Sequence, residues 1–150
     1  LTIMATTLEQ YYQMKQQLTA KIENGTINVD QVLGYQELLY RISVLEACMS
    51  FVKTAPVTTS IGMLGYHYKV VEAFFGNLVQ ERQIGMPADE HLRNQRGTAL
   101  GNLQTVFKSF QKQFKSFQPD KAEAYRAAVT KMINTILPAW LQYRYTYIPF

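Results

Sequence analysis

A single cysteine in 150 residues removes two kinds of architecture at once. Cys48 has no second thiol with which to close an intrachain disulfide, and no Cys-based zinc cluster can form around it. A lone thiol inside the apolar stretch Ala47-Cys48-Met49 suits the reducing cytoplasm. No apolar run approaches the roughly 18 residues of a membrane span. The segment Leu1 to Glu9 lacks the basic region and apolar core of a signal peptide. The sequence therefore reads as that of a soluble, cytoplasmic protein. Its glycines build neither GxxxxGK nor GxGxxG, so no phosphate cradle is present.

Charge is also scarce, at 17% of residues, and unevenly placed. Residues 1–90 hold 6 Lys/Arg against 9 Asp/Glu, and residues 91–150 hold 9 against 2, so the first part is negative and the last part strongly positive. Such asymmetry bears on partners rather than on fold.

Apolar residues are abundant, at 47% with 10 Tyr and 8 Phe, a composition that excludes intrinsic disorder. A chain of this length fits one domain, residues 1–150, able to bury about 70% of its unfolded surface. The apolar residues recur with helical spacing. Thr6 and Glu9 have the spacing of a capping box, so a first helix is expected to open there and to stop at Asn24-Gly25. Asn28 or Asp30 can cap a second helix, whose seam Tyr35, Leu38, Ile42, Leu45, Met49 and Val52 is spaced 3, 4, 3, 4, 3 until Pro56.

After Thr58-Thr59-Ser60 the pattern returns in Ile61, Leu64, Tyr68, Val71, Phe75 and Leu78, widened by Met63, Val70 and Phe74. That wide arc makes the third helix the expected centre. Beyond Gly85-Met86-Pro87 a fourth seam runs Leu100, Leu103, Phe107, Phe110, Phe114, Phe117. Pro119 ends it, Asp120 and Glu123 have capping-box spacing, and a fifth seam runs from Tyr125 to Tyr143 with Pro138 inside, where a kink or early end is expected. Glycines 62, 65, 76, 97 and 101 read as points of close helix approach. The fold class expected is all-α: a four- to five-helix antiparallel bundle of long amphipathic helices with short connections.

Chemistry finds little purchase on this pattern. His67 could in principle accept a phosphoryl group, but the Lys-Gly pair three and four residues on is replaced by Val70-Val71. His91 has Gln95 where a second helical ligand would stand, so no metal site is expected. Glu37 and Glu46 lie nine residues apart on one helix, roughly 13 Å along the axis, too far for an acid–base pair.

Two features remain. Lys108, Lys112 and Lys115 flank the phenylalanine seam, with Arg126 and Lys131 adding charge on the next helix, a candidate surface for an anionic partner. The plainer role of these lysines is to solubilise an aromatic helix. Trp140, Tyr143, Tyr145, Tyr147 and Phe150 crowd the C-terminal end, which either packs back on the bundle or anchors another chain.

The leading expectation is a non-enzymatic, cofactor-free helical module binding another protein or a second copy of itself, as scaffold, adaptor or assembly subunit. The alternative is a nucleic-acid-binding protein using residues 91–150. The third is a phosphotransfer protein or enzyme centred on His67.

Overall fold

Asn24 and Gly25 break the first amphipathic run as their chemistry requires. Gly25 takes φ of +73°, open to it without a Cβ clash, and the Gly25 and Thr26 amides turn back to the carbonyls of Ile22 and Lys21. The computed structural model describes residues 2–81 and 85–144. Among them the chain forms five α-helices and no strand: α1 (Thr2–Glu23), α2 (Val29–Thr54), α3 (Ile61–Gln80), α4 (Glu90–Phe114) and α5 (Ala122–Tyr143). The all-α expectation holds. No helix among the described residues is long and apolar enough to cross a membrane.

The helix starts show which local signals prevail. Asn28 and Gln31 cap each other, Gln31 N–H donating to Asn28 Oδ1 at 2.9 Å and Asn28 N–H to Gln31 Oε1 at 3.1 Å. Ser60 accepts from the Met63 amide, and Asp89 from those of His91 and Leu92. Two expected caps fail. α1 opens at Thr2 rather than Thr6, because Met4 is buried and Thr7 returns its hydroxyl to the Ile3 carbonyl, so the run extends backwards. Asp120 and Glu123 form no box. A 3-10 turn over Pro119–Lys121 runs directly into α5, and Lys121 Nζ bonds the α4-end carbonyls of Gln113 and Ser116.

The described chain groups into two compact units divided after Ser50. The first holds α1 and most of α2 as an antiparallel hairpin, in which Arg41 donates to Tyr11, Tyr12 to Glu46, and Thr19 to Tyr35. The second begins at Phe51 and holds the α2 end, α3, α4 and α5. Tyr68 and Glu72 meet Gln111, and Gly76 meets Phe107, so α4 runs opposite to α3. Phe110 and Phe114, late in α4, meet Tyr125 in the first turn of α5, and both helices line one shared groove that reaches Thr105 and Thr135, so α4 also runs opposite to α5.

In this unit the centre is α5, not α3. Tyr125, Val129, Met132, Ile133, Ile136, Leu137 and Trp140 are buried on one helix, while Met63 and Val70 of α3 face solvent. α5 also continues through Pro138 to Tyr143. Pro138 and Asn134 lie on the exposed side, where the carbonyl that the ring leaves without a helical donor meets water.

Glycine placement differs from expectation too. Of the five glycines expected at close approaches, Gly76 alone sits close to another helix, where a Cβ would lie 3.5 Å from the Phe107 ring. At Gly62, Gly65, Gly97 and Gly101 a Cβ would meet nothing within 4 Å. Gly97→Ala and Gly101→Ala are therefore expected to raise unfolding free energy by about 0.5–1 kcal/mol each, whereas Phe110→Ala, which empties the α4 seam, should lower it by about 3–5 kcal/mol. Urea unfolding followed by circular dichroism measures both.

Candidate interaction surfaces

The cations of residues 91–150 divide by what they touch. Arg93 donates to the Pro87 and Ala88 carbonyls, Arg96 to Gly85, Lys121 to Gln113 and Ser116, and Arg126 to Ala55 at 3.3 Å and Thr58 at 2.8 Å. Arg144 pairs with Glu81 and lies over the Trp140 ring, 5.2 Å from its centroid. Each of these five ties a loop or a helix end to its neighbour. Lys108, Lys112, Lys115 and Lys131 are exposed and have neither ion pair nor hydrogen bond from their ammonium groups among the described residues. Arg126, expected with these lysines on an anion-binding surface, is instead half-buried and anchors α5 to the α2–α3 connection.

Lys108, Lys112 and Lys115 are spaced 4 and 3, which puts them on one stripe of α4, opposite Leu103, Phe107, Phe110 and Phe114. On another flank of α4, away from that stripe, a groove of about 340 Å³ runs between α4 and α5, and of these four lysines Lys131 alone lines it. Val106, Phe110 and Met132 form its floor, Thr105, Ser109, Gln113 and Thr135 its polar walls, and Lys131 stands on the α5 rim. From His91 through Pro119 the sequence contains no Asp or Glu, so α4 beyond its first residue carries no carboxylate of its own. The nearest contact with one is at the α3 flank, where Gln111 Nε2 donates to Glu72 at 3.1 Å.

A second surface lies on α2, which carries apolar residues on its outer side as well as its inner one. Glu37 and Arg41, an ion pair at 3.0 Å, are almost wholly buried on the side facing into the hairpin unit, along with Leu38, Ile42 and Leu45. The opposite side carries Val29 (75% exposed), Val32, Leu33 (41%), Leu39 and Tyr40, with Gln36 and Ser43 between them. At 100° per residue none of the α2 charges falls on that arc. Glu46, at its edge, is turned to the Tyr12 hydroxyl at 2.7 Å, and this bond, then burial, then the charge itself raises the Tyr12 pKa. The sequence signal was present: Val29, Leu33 and Tyr40 fall outside the 3/4 seam, and Glu37 and Arg41 fall beside it.

The aromatic end divides in the same way. Trp140 is 1% exposed and belongs to the core, and Tyr143 is the last residue of α5 and half-buried. Tyr145, Tyr147 and Phe150 lie outside the described residues.

His67 is a packing node. Its Nε2 lies 3.2 Å from the Phe51 carbonyl and 3.0 Å from Thr54 Oγ1, and its Nδ1 meets the Tyr125 hydroxyl. A carbonyl only accepts, so Nε2 carries the proton and Nδ1 accepts from Tyr125. Both nitrogens are thus engaged in the neutral ring, leaving neither placed for phosphoryl transfer. Burial lowers the His67 pKa, with the Phe51 carbonyl working in the other direction. Cys48 is buried as well, its thiol pushed up to about 12 by desolvation. Among the described residues no group of three or more His, Cys, Asp or Glu is disposed to hold a metal ion.

Compared with known protein families, curated proteins and solved structures, the chain matches none of them.

The His67 environment makes a pH prediction. The unfolded imidazole takes its proton near 6.5, while the folded one resists to lower pH. Its stabilising contribution is complete above about 6.5 and is lost as pH falls from there towards the lower folded value. Unfolding free energy measured in steps from pH 7.5 to 5 should decline over that window, and His67→Gln should flatten the decline.

Proposed function

We propose that the protein is a non-enzymatic helical assembly module whose outer α2 face binds protein, with a second copy of the chain as its first partner. The observation that carries this reading is the uncharged apolar stripe on the outer side of α2. A surface helix ordinarily turns its charges to water and its apolar stripe inward. This one buries an ion pair beside its inward apolar seam and leaves Val29, Val32, Leu33 and Leu39 exposed.

An uncharged stripe has no sign with which to repel its own copy. Under two-fold symmetry one α2 laid antiparallel on another brings the Val29 end of each against the Tyr40 end of the other, a self-complementary contact. The stripe from Val29 to Tyr40 is only about 17 Å long, short of what the roughly 800 Å² per partner of a standard interface needs. Affinity is therefore expected in the micromolar range. The cytoplasm suits such a module, since its one thiol is buried and needs no disulfide partner.

Sedimentation equilibrium across a wide concentration range tests the reading. The wild type should pass from monomer to dimer, and Leu33→Glu with Leu39→Glu should remain monomeric with an unchanged helical circular dichroism spectrum. A wild type that stays monomeric at several hundred micromolar would end the homotypic reading.

A further inference from the structure

We infer that the outer side of the α3–α4 pair, which carries Lys69 and Tyr66 of α3 beside Lys108, Lys112 and Lys115 of α4, rests on the surface of an anionic lipid bilayer. This contact goes beyond the assembly role proposed for α2 and does not depend on self-association.

The two helices meet where Gln111 donates to Glu72 and where Gly76 lies against the Phe107 ring. On one side of that seam Tyr68, Phe110 and Phe114 turn inward to Tyr125 of α5. The helical rotation of 100° per residue fixes what the other side carries. On α4, Lys115, Lys108 and Lys112 lie about 40°, 60° and 100° beyond Gln111, away from the phenylalanines. On α3, Lys69 and Tyr66 lie about 60° and 120° beyond Glu72, away from the buried Leu64, Val71 and Phe75. Both sets therefore face outward on the same side of the pair, opposite α5. Because the helices run in opposite directions, Lys115 stands near the level of Lys69, with Tyr66 within about one turn of it.

The charge on this side is unmatched. All four ammonium groups are exposed and have neither ion pair nor hydrogen bond among the described residues. Glu72 is the one acid of α3, and it is taken up by Gln111 and by Tyr68. Glu90, the one acid of α4, opens that helix about 27 Å along the axis from Lys108. Lys108 and Lys112, one turn apart, repel each other on an isolated helix, and a negatively charged surface removes that cost.

The apolar side chains decide which anion. Tyr66 is 72% exposed and Met63 58%, with Val70 exposed on the same side of α3. A bilayer interface accepts such side chains at headgroup depth while lysine stems reach past them to anionic headgroups, and Tyr belongs to that zone. A nucleic-acid backbone offers nothing to Met63 or Val70, and Arg93 and Arg126, which could fork onto phosphates, are committed within the chain. The contact is peripheral, since no helix among the described residues is long and apolar enough to cross.

The test floats the full chain with vesicles of phosphatidylcholine, alone or mixed with phosphatidylserine, at about 0.1 M salt, where charges on distant faces are screened. The mixed vesicles should carry the chain, phosphatidylcholine alone should leave it in solution, and high salt should release it. Combining Lys108→Glu, Lys112→Glu and Lys115→Glu should weaken partitioning by about tenfold or more, with helicity and Tm unchanged. The same reversal at Lys15, Lys21 and Lys131 should leave it within about twofold. Met63→Ser with Tyr66→Ser should weaken it by about threefold or more. Equal loss in the two lysine variants would reduce the effect to net charge and overturn the proposal. So would unchanged partitioning of the Met63/Tyr66 variant, which removes the apolar contact, or equal flotation with phosphatidylcholine alone, which removes the electrostatic one. Displacement of most of the protein by a DNA duplex or by polyglutamate at equal negative charge would overturn it in favour of a nucleic acid or an acidic protein. No flotation with the mixed vesicles would end it.

Discussion

Tyr125 has to hide a ring and satisfy a hydroxyl in the same place, and the second unit is arranged around that requirement. The residue is fully buried in the first turn of α5, surrounded by Phe110 and Phe114 of α4, by Phe117 of the connection that follows it and by Tyr68 and His67 of α3, with ring centroids 5.0 to 6.5 Å away. Aromatic rings in edge and tilted contacts at these separations add to what area burial alone provides. The hydroxyl, which would be costly to bury alone, donates to His67 Nδ1, and His67 in turn reaches the Phe51 carbonyl. Three helices and the end of a fourth are thereby fixed at one level. Arg126, next in sequence, fastens the same turn of α5 to the Ala55 and Thr58 carbonyls.

That constraint explains why the two histidine and arginine positions most suggestive of chemistry or anion binding serve the fold. Desolvation keeps His67 neutral, and a neutral ring with both nitrogens engaged orients Tyr125 better than a charged one would. Tyr68 follows the same logic, held up to about 12 by burial and by Glu72. The guanidinium groups tie off carbonyls at connections and helix ends because a planar fork of donors reaches several acceptors at once. The flexible, strongly hydrated ammonium groups of Lys108, Lys112, Lys115 and Lys131 stay in water.

The buried charges of α2 have a separate cause within the hairpin unit. Arg41 reaches the Tyr11 hydroxyl as well as Glu37, so the buried pair fastens α1 to α2 through hydrogen bonds. Removing one partner from such a pair is costly, because a buried charge is left uncompensated. With that side of the helix occupied, the exposed valines and leucines on the other side are the surplus that an assembly contact would use.

Much of the fold is legible in the residue order, because helical periodicity and end signals are local. The five helices, the stop at Gly25, the caps at Asn28 and Ser60, and the buried phenylalanines of α4 all follow from spacing and side-chain chemistry within a few residues. Tertiary packing decided what spacing leaves open. It drew α1 back to Thr2, carried α5 past Pro138 on its solvent side, and moved the centre from α3 to α5. For the candidate surfaces, the lysine stripe was readable from its 4 and 3 spacing. That Arg126 would leave it for the Ala55 and Thr58 carbonyls, and that His67 would meet Tyr125 across 58 residues, was not. Sequence specifies which side chains share a helix face, but which faces meet, and so which donors find acceptors inside and which remain for a partner, is settled only when the helices pack.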